Sequence, residues 1–299
     1  MIRTLLLLPL SLFLWSCNPT SQTTTQVEKE EWISLFNGKD LSGWDIKIAG
    51  KELNDNYLNT FVVEEDMLRI KYDEYDEFGT FFGHLYYEKP YSYYKFRFEY
   101  RFLGEQTKGG ASWNVRNSGV MFHSQSAQSL SFNQHFPVSI ELQTLGGLNK
   151  GDRTTANLCT PGTMVEYKGK LDQTHCISSS SQTYHGDQWV AVEAVVLGDS
   201  VVHHIIETDT VLTFMKPMID SSFIAPGNGS WESFGIDNGD YWRKKHGELL
   251  ASGHIALQAE SHPIDFRNIE LLDLEGCMDK KAKNYRSYYV KHKEEDCKY

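Results

Sequence analysis

Lys95-Phe96-Arg97-Phe98-Glu99-Tyr100-Arg101-Phe102 alternates without exception, four aromatic side chains on one side and four charged ones on the other. Successive residues of a strand face opposite sides, so this stretch is a strand with one buried and one wetted face. Working outward, β-rich runs recur at 61–63, 67–72, 81–86, 119–124, 139–143, 189–197, 201–206, 254–259 and 266–272, most of them bounded by Gly, Asn, Asp or Pro. No apolar period of 3.6 residues persists for the length of a helix between them. About ten short strands in one stretch of chain predict an all-β, two-sheet antiparallel sandwich. One domain is expected over 31–275, with a long loop at 218–248.

The composition agrees with a globular chain: 299 residues, 40% hydrophobic and 13% aromatic, with 29 Lys and Arg against 40 Asp and Glu for a net charge of -11. That charge repels phosphate backbones, so nucleic acid is not an expected partner. Arg3 precedes an apolar run at 5–15 that is too short to span a bilayer but suits a signal peptide. The run ends in Trp15-Ser16-Cys17, which resembles a lipoprotein acylation site. The reading is a signal peptide at 1–16, lipidation at Cys17 and a Thr-rich tether at 17–30. The expected location is therefore the cell envelope, with a membrane contact only through the N-terminal lipid. Acidic residues do not follow Cys17, which favours the periplasmic side over the cell surface.

Four further cysteines suit an oxidising compartment. Local pairing of Cys159 with Cys176 and of Cys277 with Cys297 costs less loop entropy than crossed pairing, and each loop of about 18 to 20 residues would add on the order of 3 kcal/mol. The tail at 276–299 reads as a small separate unit. From Cys277 onward it holds seven Lys or Arg and four Asp or Glu, and 7 minus 4 gives +3. Its Gly276-Cys277-Met278-Asp279 and Asp296-Cys297-Lys298-Tyr299 resemble a cysteine-bracketed repeat at the ends of secreted Bacteroidetes proteins.

Three strands put an apolar face opposite one that carries polar groups. Ile140 and Leu142 alternate with Glu141 and Gln143; Val120 and Phe122 lie opposite His123; Ile255, Leu257 and Ala259 alternate with His254, Gln258 and Glu260. Sugar rings stack on aromatic faces while their hydroxyls bond amides and carboxylates. Trp113, Trp231, Tyr241 and Trp242 in the connecting segments are the aromatic candidates. The joint pattern points to a sugar-sized groove on one sheet. A glucanase would carry Glu-x-Asp-x-x-Glu on one strand, a spacing this chain lacks. HExxH, GxGxxG, Walker and GxSxG motifs are likewise missing, as is Cys-x-x-Cys. No cofactor is expected, and no ligand-dense loop argues for a structural calcium.

Several segments are similar to the 3-keto-disaccharide hydrolase domain family: Ser34-Leu35-Phe36-Asn37-Gly38-Lys39-Asp40-Leu41-Ser42-Gly43-Trp44, then Asn117-Ser118-Gly119-Val120-Met121-Phe122, Ile140-Glu141-Leu142-Gln143, Ile255-Ala256-Leu257-Gln258 and Phe266-Arg267-Asn268-Ile269, in the family's order. The resemblance implies a concanavalin A-like jelly roll acting on glycosides whose glucose ring carries a ketone at C3. It also implies a separate oxidoreductase that makes this ketone. A C3 ketone acidifies the C2 proton, so a carboxylate or imidazole can remove it and the C1 substituent then departs. Glu141 is the expected base, with His123 as an alternative base or proton shuttle. Asn117, Gln143 and Arg267 are expected to position or polarise the sugar. Gln258 completes the substrate-binding set, Glu260 and His262 would supply the acid, and His185 or Asp187 the rim. Many family members have Arg at the position of His123 and a shorter His-Gly turn where this chain has Glu260-Ser261-His262-Pro263. The rival reading is a lectin-like carbohydrate-binding module that cleaves nothing.

Overall fold

The computed structural model describes residues 29–223 and 230–299. The signal peptide, Cys17 and nearly all of the tether lie outside these residues.

Phe96, Phe98, Tyr100 and Phe102 are each at most 2% exposed, whereas the charged residues between them remain half-buried on the outside. Burying such side chains contributes roughly 1.5–3 kcal/mol apiece, which is why the strand Tyr93–Phe102 lies at the centre of its sheet. It pairs antiparallel with Val190–Leu197 on one side and Ile264–Asp273 on the other. The ten-stranded sheet continues from Val190–Leu197 through Val201–Ile206, Asp209–Ile219 and Thr163–Tyr167 to Lys170–Asp172. From Ile264–Asp273 it continues through Met67–Ile70 to Phe61–Glu64, and Ile33–Ser34 pairs with Ile264–Asp273 at Glu270 and Leu271.

The second sheet has seven strands, in the order Cys176–Ile177, Asn157–Cys159, Ile140–Leu145, Asn117–Ser124, His254–Ala259, Gly83–Tyr87 and Trp44–Ile48. Val120, Phe122, Ile140, Leu142, Ile255 and Leu257 are completely buried against the first sheet's aromatic row. The two layers and their shared core make an all-β sandwich of two antiparallel sheets. Regular α-helix among the described residues is limited to Gly239–Arg243.

Asp209–Ile219 is a strand that the sequence reading does not contain. Lys216 sits at φ 48° where the pairing register slips, and Pro217 follows it, so the periodicity breaks inside the strand. The expected loop at 218–248 therefore starts later, after Ile219. Trp231 within it is 2% exposed and stacks on Trp242, so both tryptophans serve packing, while Tyr241 is exposed.

The tail forms a two-stranded parallel sheet from Glu275–Gly276 and Lys291–His292, closed by the Cys277–Cys297 disulfide. Val290 N donates to Leu274 O at 2.9 Å, and Arg286 pairs with Glu31 at 2.6 Å. The Cys159–Cys176 disulfide joins register partners at the edge of the seven-stranded sheet.

Candidate active site

The outward face of the seven-stranded sheet is covered over part of its area. Ala127 and Leu130 pack on Tyr86, Met121 and Ala256, and the Lys47 ammonium donates to Phe132 O at 3.0 Å. What stays open is a recess with about 330 Å³ of non-atom space, open solvent at its mouth included. Asn117, Glu141, Gln143 and Glu260 supply its acidic and amide groups; Trp113, Phe136, Pro161, His175 and the Cys159–Cys176 disulfide complete the lining. Trp113 is 38% exposed and lies parallel to the Phe82 ring, with centroids 6.2 Å apart. A ligand entering the recess meets one aromatic face held in a fixed plane.

Glu141 reaches this position because its neighbours alternate. Ile140 and Leu142 are drawn into the core, which turns Glu141 and Gln143 to the opposite face. The middle strand must then be bare. A Cβ on Gly119 would stand 2.4 Å from Glu141 Oε1, so only glycine leaves room for the carboxyl group to lie across that strand. Glu260 enters from the third strand, immediately after His254–Ala259. Glu141 is 6% exposed and Glu260 3%. Among the described residues neither carboxylate has an ion pair, and Glu260 Oε2 has no hydrogen-bond partner.

Burial raises the Glu141 carboxyl well above the ordinary carboxylate range. Glu260 is raised too, by burial first and then by the charge of Glu141, with the Arg153 guanidinium pulling the other way. Two acids in one dry site cannot both ionise cheaply, so they titrate as a pair that holds a proton at a pH where free carboxylates have none. Arg153 is fixed by donating from Nη1 to Val115 O and Gly146 O, both at 2.7 Å. Asn117 Nδ2 donates to Trp113 O at 3.2 Å, which leaves Oδ1 free, and Gln143 Oε1 accepts from Asn157 Nδ2 at 3.1 Å.

The structure thus brings together Asn117, Glu141, Gln143 and Glu260. Other expected residues lie elsewhere. His123 sits at a bulge with φ 48°, which turns its ring away from the recess; its Nε2 meets Gly198 O, in the turn after Val190–Leu197 of the other sheet, at 3.0 Å. Burial pushes its imidazole down to about 4. Arg267 lies on the outer face of the ten-stranded sheet, where it pairs with Glu99 and stacks over Trp189 at 3.9 Å. Period two gave its face within the strand but not which sheet that strand joins. Gln258 and His262 are buried without lining the recess; His262 packs against Phe102, and burial and then Arg116 lower its imidazole to about 4. His185 is exposed on a neighbouring loop and accepts from Asn149 N at 3.1 Å, while Asp187 pairs with Arg116 at 3.1 Å.

The sequence reading missed His175, Phe136 and Pro161 in the lining, and Arg153 behind it. Cys159 carried the one available signal. Had its strand been paired with 139–143, the disulfide would have been placed beside Glu141, its register partner.

Residues 31–272 match the model of the 3-keto-alpha-glucoside-1,2-lyase-like domain. The chain belongs to that family. No curated protein matches it in sequence. Among solved structures, a candidate glycosyl hydrolase from Parabacteroides distasonis is 17% identical, with 81% of this chain and 93% of that one covered and a TM-score of 0.46. The carbohydrate-binding module CBM66 of Bacillus subtilis is 10% identical over 77% of this chain and 96% of its own, with a TM-score of 0.40. The Bacillus licheniformis β-glucanase is 9% identical over 83% and 99%, with a TM-score of 0.42. The two buried carboxyl groups therefore lie within the 3-keto-alpha-glucoside-1,2-lyase-like domain.

Proposed function

We propose that this protein cleaves glycosides whose glucosyl ring carries a ketone at C3, with Glu141 as base and Glu260 as acid. The observation that carries the reading is the placement of two desolvated carboxyl groups, without ion pairs among the described residues, in one recess of a domain of this family. In the first step the Glu141 carboxylate takes the C2 proton, and the electron pair forms the C1–C2 double bond as the C1–O bond breaks. Glu260 gives its proton to the departing oxygen. Water then adds across the double bond, hydroxyl to C1 and proton to C2, and releases the 3-keto sugar. Glu141 fits the base because no donor satisfies its oxygens, which keeps them basic; Glu260 fits the acid because burial favours its neutral form. Asn117 and Gln143 hold the ring hydroxyls, and Trp113 receives the sugar face or its leaving group.

The test compares a 3-keto glucoside with its unoxidised parent in deuterium oxide. Cleavage of the keto compound alone, with deuterium appearing at C2, is the expected result. Binding of both without turnover would replace the enzyme with a carbohydrate-binding module, and cleavage of the parent would replace this route with direct glycoside hydrolysis. The proposal includes delivery to the cell envelope through lipidated Cys17, which incorporation of labelled palmitate by wild type but not by Cys17→Ser would support.

A further inference from the structure

The wall of the recess contains two sulfurs and an imidazole carried on backbone that strand pairing holds together as well as the disulfide. Cys159 and Cys176 face each other across antiparallel strands with Cα atoms 4.1 Å apart, close to the spacing that backbone pairing alone gives to a narrow antiparallel pair. Hydrogen bonds hold the second segment in place: Thr160 N donates to His175 O at 2.8 Å, and Thr160 Oγ1 to the same oxygen at 3.3 Å. Among the described residues His175 Nδ1 has no hydrogen-bond partner. One ligand atom from each of Cys159, His175 and Cys176 lies within 4.8 Å of the others, and all three residues line the recess.

We infer that reduction of the Cys159–Cys176 disulfide turns Cys159, Cys176 and His175 into a three-ligand site for a thiophilic divalent cation in the wall of the recess. Cys176 is exposed while Cys159 is 1% exposed, so a dithiol reductant attacks at Cys176. Its thiolate bonds to the Cys176 sulfur, the disulfide breaks and Cys159 leaves as thiolate. The reductant's second thiol displaces Cys176 and closes a cyclic disulfide. Two electrons have then passed to the protein, and the reductant's two protons end on Cys159 and Cys176. A cation that binds both sulfurs as thiolates releases those protons to water. Tetrahedral ligation with zinc–sulfur bonds of about 2.3 Å sets the two sulfurs roughly 3.8 Å apart, a separation that side-chain rotation on fixed strands supplies. The imidazole is the third ligand, and the fourth position is open, as in catalytic zinc sites. Cys159 is the register partner of Glu141, so an ion held here stands beside the proposed base and obstructs the recess. The oxidised form leaves the recess open and holds no cation there.

Cobalt(II) is the probe, because thiolate ligation produces an intense charge-transfer absorption that imidazole and carboxylate ligation lack. The full chain carrying Cys17→Ser, Cys277→Ser and Cys297→Ser keeps this pair as its only cysteines. The oxidised form should show no such absorption. After reduction by a phosphine it should show it at one cobalt per chain, with displacement by zinc, and adding His175→Ala should weaken zinc binding at least roughly tenfold. A reduced chain that keeps its β-sheet circular dichroism but shows no thiolate absorption overturns the inference, and so does one that unfolds on reduction, since the strands must hold the ligands. The reduced wild-type tail also offers His292, Glu294 and Cys297 as ligands, so a second reading counts zinc: reduced wild type should bind one more zinc per chain than the reduced Cys159→Ser, Cys176→Ser chain, and equal counts also overturn the inference. None of these readouts uses sugar cleavage, so the inference can fail while the proposed function stands, or the reverse.

Discussion

Asp265 and Glu260 lie close in sequence where the chain crosses from the seven-stranded to the ten-stranded sheet, and they are almost equally buried, at 1% and 3% exposure. They differ in what faces them. Asp265 lies on the outer side of the ten-stranded sheet, 2.8 Å from Arg101 and 3.3 Å from Arg69, and its charge is fully answered. Glu260 faces Glu141 across the recess and has no ion pair among the described residues. A buried carboxylate that is gripped by arginines holds a sheet together, whereas one left without a cation keeps a proton and becomes available for chemistry. Burial by itself does not separate the two cases.

Breaking the recess side should have the largest effect. Glu141→Gln keeps the shape and removes the base, so turnover of a 3-keto glucoside should fall by about two to four orders of magnitude with the melting temperature nearly unchanged. Steady-state kinetics alongside calorimetry check both halves, and full retained activity would remove Glu141 from the mechanism. On the other side, Asp265→Asn leaves two arginines facing an amide and should cost about 2–4 kcal/mol of stability, read from urea unfolding, with kcat unaffected. Gly119→Ala acts between these two, because its methyl group pushes directly on the Glu141 carboxyl. A loss of about 1–3 kcal/mol together with a fall in kcat is expected, and loss of stability without loss of rate would mean that the carboxyl position does not matter.

The smallest effect is the most diagnostic. Between the ordinary carboxylate pKa and the raised one, folded protein keeps a proton on the Glu141–Glu260 pair that the unfolded chain has released. Stability contributed by the pair is complete below the unfolded value and is lost as pH rises through the folded one, by about 1.4 kcal/mol per pH unit while one proton is retained. Glu260→Gln removes the Glu260 share and leaves that of the buried Glu141, so its stability should decline less between mildly acidic and mildly alkaline pH than that of wild type. Chemical denaturation across that range measures the difference, and parallel curves would show that the two carboxyl groups do not share a proton. Wild-type activity should rise with pH through an apparent pKa above the usual carboxylate range, because the base must first ionise.

The alternation at Lys95–Phe102 made the sandwich legible, since a row of four aromatics has nowhere to go but between two layers. Glu141 was legible for the same reason: a charge opposite two aliphatic residues must face something other than the core. His123 was not. Its parity predicted the recess, but a bulge at positive φ swung the ring toward Gly198, and a bulge adds a residue without leaving a mark in hydropathy. Arg267 was misplaced because its partner Glu99 lies far away in sequence, and a charge ladder on one sheet looks like a binding group on the other until the strands are assigned. Arg153 and His175 sit on irregular segments, where periodicity carries no signal.

Trp113 stacks on Phe82 at the mouth of the recess, while Trp44 and Trp231 are only 6% and 2% exposed. The molecule therefore carries its own optical reporter. A ligand settling on that indole should shift its fluorescence and shield it from iodide quenching, while the sealed tryptophans supply a constant background. Occupancy can thus be followed in real time without any label, and a Trp113→Phe chain should be blind to the same event.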